Sequence, residues 1–327
     1  MITIILLASL AGTPVASQRW ELLLAQAEEL ALQNRHTEAG KAYSLALVEA
    51  EKSGRKELPV AVVLDHNAFR LQQLGQLREA SQMYSRALDI FTRKAPDSRA
   101  LTDVVIGLSS VYLQSGEISK AQSLIQRFLR NDAAHLPQDR AMLLANLGSA
   151  LAAQGDLRQA ELKFEEVLAI LEKDGTEQVL MVKTLDNLAS IDCVTGRISD
   201  AREYSQRARS SLSGIKNPPP DLVIKTFANA GGIAMLDRKW EESQHFYSQA
   251  LTLCEETFGP DHYLLAQILQ GYSQALFHLN HKSEARRAKK RAEEILNRFQ
   301  RENMLGLSVD AHILSESRLK DGRLWLR

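Results

Sequence analysis

Three asparagines, Asn146, Asn187 and Asn229, stand 41 and 42 residues apart. A side-chain amide carries one acceptor and two donors, so a row of them can pair with the N–H and C=O of an extended backbone without reading its side chains. Lys183 and Lys225 each precede one of these asparagines by four residues, and Ser149, Ser190 and Gly232 follow the three by three. Residues three and four apart share one helix face. On helices, the set makes a backbone-binding row, a basic edge and a row of small residues that admits close approach. The chemistry is non-covalent recognition of an extended, acidic or carboxylate-bearing peptide, with Asp186 locally opposing the basic edge. Each hydrogen bond contributes only about 1 kcal/mol net, so pockets or charge must supply the rest. A second reading stays open: the amides serve neighbouring helices, or persist as repeat consensus, and the lysines are ordinary solvated residues.

Covalent chemistry has little to work with. The chain lacks Gly-x-Gly-x-x-Gly, Gly-x-x-x-x-Gly-Lys, Gly-x-Ser-x-Gly and paired-cysteine zinc spacings. His66 lies beside Asp65 and Asn67, but sequence neighbours point to different sides of a helix. The other histidines show no His-x-x-x-His spacing, so neither a metal nor any other cofactor is expected. The carboxylate pairs Glu28-Glu29, Glu165-Glu166 and Glu241-Glu242 fall on faces expected to be solvated, and Gly231-Gly232 suits close packing or ligand approach. With 40 basic against 40 acidic side chains there is no net field to attract nucleic acid. Cys193 and Cys254 read as buried small hydrophobes.

What positions these residues is a repeat. Small residues recur at Ala39, Ala80, Ala121, Ala160, Ala201, Ser243 and Ala285, at spacings of 41, 41, 39, 41, 42 and 42. The first six are followed three or four residues on by Tyr43, Tyr84, Ile125, Phe164, Tyr204 and Tyr247, the apolar face of a helix. Turns read Leu74-Gly75-Gln76, Ser115-Gly116-Glu117, Gln154-Gly155-Asp156 and Thr195-Gly196-Arg197, with Asn34-Arg35, Asp237-Arg238 and Asn280-His281 in repeats one, six and seven. Prolines at 96, 137, 218 to 220 and 260 punctuate the joins. Fourteen helices in antiparallel pairs follow, in seven repeats over about 18–56, 57–96, 97–136, 137–176, 177–217, 218–260 and 261–302. One elongated domain is the simplest organisation, because each repeat buries its apolar face on its neighbours.

Thr184-Leu185-Asp186-Asn187-Leu188-Ala189, then Gly196, Asp200-Ala201 and Tyr204, with Phe258-Gly259-Pro260-Asp261-His262 as a joining loop, resemble the tetratricopeptide repeats, in particular the long-period kinesin-light-chain variety. The resemblance covers about residues 19 to 300. It implies an all-α right-handed superhelix of about seven helix pairs, whose first helices line a concave groove. An asparagine ladder there is associated with holding a peptide backbone. Departures are Tyr204, one position early; Asp192, where a large apolar residue is usual; and Trp240 and Ser243 in repeat six. The ladder does not continue through Gly107, His66 and Ala25, the equivalent positions of repeats three, two and one. The last helix, with Arg286, Arg287, Lys289, Lys290 and Arg291, suits a cap with one wet face.

Residues 1–17 stand apart: Ile2 to Ala11 is apolar, too short to span a bilayer, and Val15-Ala16-Ser17 fits a signal-peptidase site, though no basic segment precedes it. Export to the periplasm or outside is expected on that reading, and a cytoplasmic protein with an apolar element packed on the first repeat on the other. Residues 303–327 form a tail too short for another repeat. The expected function is a non-enzymatic scaffold or adaptor holding a protein or peptide partner in the groove of repeats four to six, without nucleic acid. A peptide-responsive regulatory sensor and an assembly factor of an envelope complex, working through convex or capping surfaces, are the alternatives.

Overall fold

In the computed structural model, described for residues 16–52, 57–130, 136–175 and 177–304, every regular element is a helix. The fourteen helices run α1 (Ala16–Leu32), α2 (His36–Lys52), α3 (Leu58–Gln73), α4 (Leu77–Lys94), α5 (Arg99–Gln114), α6 (Ile118–Leu129) and α7 (Pro137–Ala153), then α8 (Leu157–Asp174), α9 (Gln178–Thr195), α10 (Ile198–Ser213), α11 (Pro220–Leu236), α12 (Trp240–Phe258), α13 (Tyr263–His278) and α14 (Lys282–Met304). The fold is the all-α helix-pair repeat expected from the period. The expected signal segment up to residue 15, and the tail from residue 305, lie outside the described residues. Contacts divide the chain into two compact units, Met1–Val111 and Tyr112–Arg327.

Each pair is closed by a turn whose left-handed residue ends the first helix. After α9, Gly196 takes φ 82, and the Arg197 N–H returns to the Asp192 carbonyl at 2.8 Å. Repeat six departs from expectation: the left-handed residue is Arg238, φ 58, rather than Asp237. The Lys239 N–H closes that turn on the Ala234 carbonyl at 2.9 Å, while Asp237 is held by ion pairs to Arg202 and Lys239. Pro137 and Pro220 open α7 and α11, where a missing N–H costs nothing.

The marker residues Ala39, Ala80, Ala121, Ala160, Ala201 and Ser243 are fully buried, which is why they must be small. The other departures have local reasons. Asp192 is buried, and its carboxylate accepts from Arg197 Nε at 2.7 Å while the same guanidinium reaches Glu161. Ser243 donates to the Gly231 carbonyl at 2.8 Å, and Trp240 stacks on His278 at 4.0 Å. Cys193 and Cys254 are both free and buried.

Candidate functional site: a register of polar rows on the first helices

Helix periodicity places Lys183, Asn187, Ser190 and Val194 on one stripe of α9, and Lys225, Asn229, Gly232 and Leu236 on the matching stripe of α11. Lys183 and Lys225 are exposed, and neither makes an ion pair among the described residues. At the other edge Val194 and Leu236 are 39% and 42% exposed, an apolar row that the sequence reading missed. The signal was present in the sequence, since the same four-, three- and four-residue steps that join lysine, asparagine and small residue continue to an aliphatic side chain in both helices.

The three rungs of the ladder are in different states. Asn146 on α7 is half-buried and already engaged within the protein. Asn187 is half-buried with no side-chain hydrogen bond among the described residues. The Asn229 amide lies within reach of the Asp186 carboxylate and favours its charged form. Of the small row, Ser149 and Ser190 donate to their own helix, to Ala145 O at 3.0 Å and Asp186 O at 2.8 Å, so they contribute space rather than free donors. Gly232 is buried.

Beneath the ladder, Asp186 is 6% exposed and accepts from Thr226 Oγ1 of α11 at 2.6 Å. Its other oxygen, Oδ1, is buried with no hydrogen bond. Burial pushes this carboxyl up to about 7, against the pull of Thr226 and Asn229. Asp186 therefore opposes the lysines less than a solvated carboxylate would.

The ladder ends for a steric reason. Each asparagine sits fourteen residues before its marker, and the equivalent residues in repeats three and seven are Gly107 and Gly271. A Cβ at Gly107 would stand 2.4 Å from the Tyr84 ring, and one at Gly271 2.3 Å from Tyr247. Those tyrosines follow their own markers by four, where repeats three, four and five carry Ile125, Phe164 and Ser205. Asparagine is thus found where the preceding repeat lacks a tyrosine at this place. His66, preceded by Tyr43, breaks the rule, and the structure gives no reason for it. His66 instead pairs with Glu28.

A cavity of about 280 Å³ lined by Leu171, Met181, Ser210 and Gly214 shares no residue with the ladder. Among the described residues no group of three or more His, Cys, Asp and Glu side chains is arranged to hold a metal ion, and no helix is long and apolar enough to cross a membrane.

A chain of helix pairs with this period and these buried small markers is a helical repeat protein. Tetratricopeptide repeat patterns match residues 143–178 and 222–298, so these stretches carry tetratricopeptide repeats, units built for protein and peptide interaction. No curated protein matches it in sequence. Among solved structures it is similar to the apo quorum sensor NprR from B. thuringiensis, at 16% identity and TM-score 0.66, over 86% of this chain and 77% of that one. It is similar to aspartyl phosphate phosphatase F from Bacillus subtilis at 14% identity and TM-score 0.64, over 86% and 70%. A Rap protein complexed with competence and sporulation factor aligns at 17% identity and TM-score 0.62, over 88% and 77%. At these identities the likeness is one of fold.

Proposed function

We propose that this protein is a non-enzymatic interaction scaffold that holds an extended peptide segment of a partner across the first helices of repeats four to six. The observation that carries the reading is the repetition of one four-row stripe on α9 and α11: exposed lysine, asparagine, small residue, exposed aliphatic side chain. Two adjacent helices presenting the same sequence of chemistries match a ligand that is itself periodic, as an extended backbone is. The preferred segment carries acidic groups toward Lys183 and Lys225 and an apolar side chain toward Val194 and Leu236. Asn187, which has no internal partner among the described residues, is the rung with its full hydrogen-bonding capacity available.

A peptide-responsive sensor is favoured as a second reading by the similarity to a quorum sensor and to a Rap protein solved with a bound factor. An exported location belongs to the proposal only through residues 1–17, and an assembly role at an envelope complex rests on the same segment.

The test is a peptide array of acidic and neutral decapeptides read against the full chain and two variants. Lys183→Ala with Lys225→Ala is expected to weaken the best acidic peptide about threefold to tenfold at low salt and less at high salt. Asn146→Ala, Asn187→Ala, Asn229→Ala is expected to weaken acidic and neutral binders alike. Peptides bound equally by all three proteins would place the working surface elsewhere.

A further inference from the structure

We propose that Asp186 sets which end of the Asn229 amide is offered to a bound backbone: the oxygen when Asp186 is ionised, the NH2 when it is protonated. This rests on the peptide-groove reading above and assigns Asp186 as a positioning residue of that groove.

The geometry is that of a buried interface between α9 and α11. An ionised Asp186 has only acceptors to offer, and two donors are at hand. Thr226 Oγ1 already donates to Oδ2 at 2.6 Å, while Oδ1 is buried and lacks a formed hydrogen bond. The Asn229 amide is the neighbour able to satisfy it, by turning its NH2 inward. Its carbonyl oxygen then faces outward and accepts from a ligand N–H. A protonated Asp186 carries one O–H, which the Asn229 oxygen can accept; the amide then turns over and its NH2 faces outward, toward a ligand C=O. One proton, moved on or off a group that never touches the ligand, exchanges an acceptor for a donor in the ladder.

The charge environment keeps the device local. Lys183, one turn away on α9, and Lys225, next to Thr226 on α11, are both exposed. Burial governs the Asp186 carboxyl first, and Thr226 and Asn229 pull against it. The contrast is Asp192 on the same helix, also buried but held by Arg197. Burial places the exchange of the Asp186 proton near neutrality, at about 7.

The experiment follows the Asn229 side-chain NH2 resonances of the full chain by NMR from pH 5.5 to 8.5, assigned by their loss in Asn229→Ala. They are expected to move with a midpoint near neutrality in the native chain and to stay fixed in Asp186→Asn. A Thr226→Val variant, which removes one donor to the charged form, is expected to move the midpoint upward, and it keeps the test sharp if Asp186→Asn folds poorly. Resonances that do not titrate, or that titrate alike in Asp186→Asn, overturn the proposal. A second arm uses the tightest decapeptide from the array, N-methylated at one residue at a time. At one residue, methylation is expected to weaken binding about tenfold at pH 8.5, where Asn229 needs that N–H, and less than twofold at pH 5.5. A ladder-dependent peptide whose methylation scan is the same at both pH values sinks the rung inference and leaves the groove standing. If no array peptide depends on the ladder, the groove reading fails and the resonances alone decide whether Asp186 turns Asn229.

Discussion

The first helices of the two units share one register and present different chemistry at it. Fifteen residues before the marker stands Asp65 in repeat two and Asp186 in repeat five, and at the next position His66 and Asn187. In the first unit Asp65 is half-buried in a charged cluster with His66, Glu28 and Asp103. Burial raises it to about 6, with the His66 charge pulling down and Asp103 pushing up. In the second unit Asp186 is buried, and burial raises it to about 7 against two neutral donors, Thr226 and Asn229. The period decides where a side chain stands; its neighbours across the next helix decide what it does there. The same lesson covers the ladder in repeats three to seven, where the rung is asparagine or glycine according to the residue the preceding repeat wedges behind it.

The largest effect separates the two kinds of rung. Replacing glycine by alanine inside a helix ordinarily gains up to about 1 kcal/mol of propensity. At Gly271 and Gly107 the new Cβ would meet the Tyr247 and Tyr84 rings at 2.3 and 2.4 Å, so the expected result is a loss of about 1–3 kcal/mol in urea unfolding. Asn187→Ala, with no internal partner to lose among the described residues, is expected to change stability by less than about 0.5 kcal/mol. A stabilised Gly271→Ala would break the steric account of where the ladder ends.

The next effect tests burial at Asp186. Its folded-state value near 7 lies above the ordinary 3.8, so the folded chain holds a proton that the unfolded chain gives up between about pH 4 and 7. Stability is therefore expected to fall as pH rises through that window, with the whole cost present above it. Asp186→Asn removes the ionisation, and its stability relative to the native chain is expected to improve by about 2–4 kcal/mol between pH 4 and pH 8. An equal difference at both pH values would place the Asp186 carboxyl in a solvated setting.

The helix pairs, their turns and the buried markers are legible in the sequence alone, from a period near 41 combined with glycine, asparagine and proline at fixed offsets. The rows of lysine, asparagine and small residues follow from the same offsets. Their states do not, because each depends on a contact with a residue distant in the chain: Thr226 on Asp186, Tyr247 on Gly271, Arg197 on Glu161. Asp237-Arg238 shows the same limit at short range. Residue preference favours Asp for the left-handed place, yet Asp237 is held by Arg202 and Lys239, and Arg238 takes the strained position. Tyr204 explains itself only in three dimensions, packing with Ala189, Cys193 and Ile233 while Ser205, 3% exposed, takes the buried place.

The smallest effect concerns His66, and it separates two causes of the same pH trend. The Glu28 hydrogen bond is the largest influence raising the imidazole above 6.5, ahead of the Glu28, Asp65 and Asp103 charges. The stabilisation is fully present below 6.5 and is lost as pH rises through the folded-state value. Asp186 also makes the chain less stable as pH rises, but by charging a buried group rather than by discharging a paired one. His66 and Glu28 are each 42% exposed, so the pair is expected to contribute under about 1 kcal/mol and to weaken with salt, while the cost at Asp186 should not respond to salt. Glu28→Gln is expected to move the His66 NMR titration down toward 6.5 and to abolish the salt-sensitive part of the pH trend. An unchanged titration would mean that Asp65 and Asp103 raise His66 together, making that face of the first unit an acidic field rather than a single ion pair.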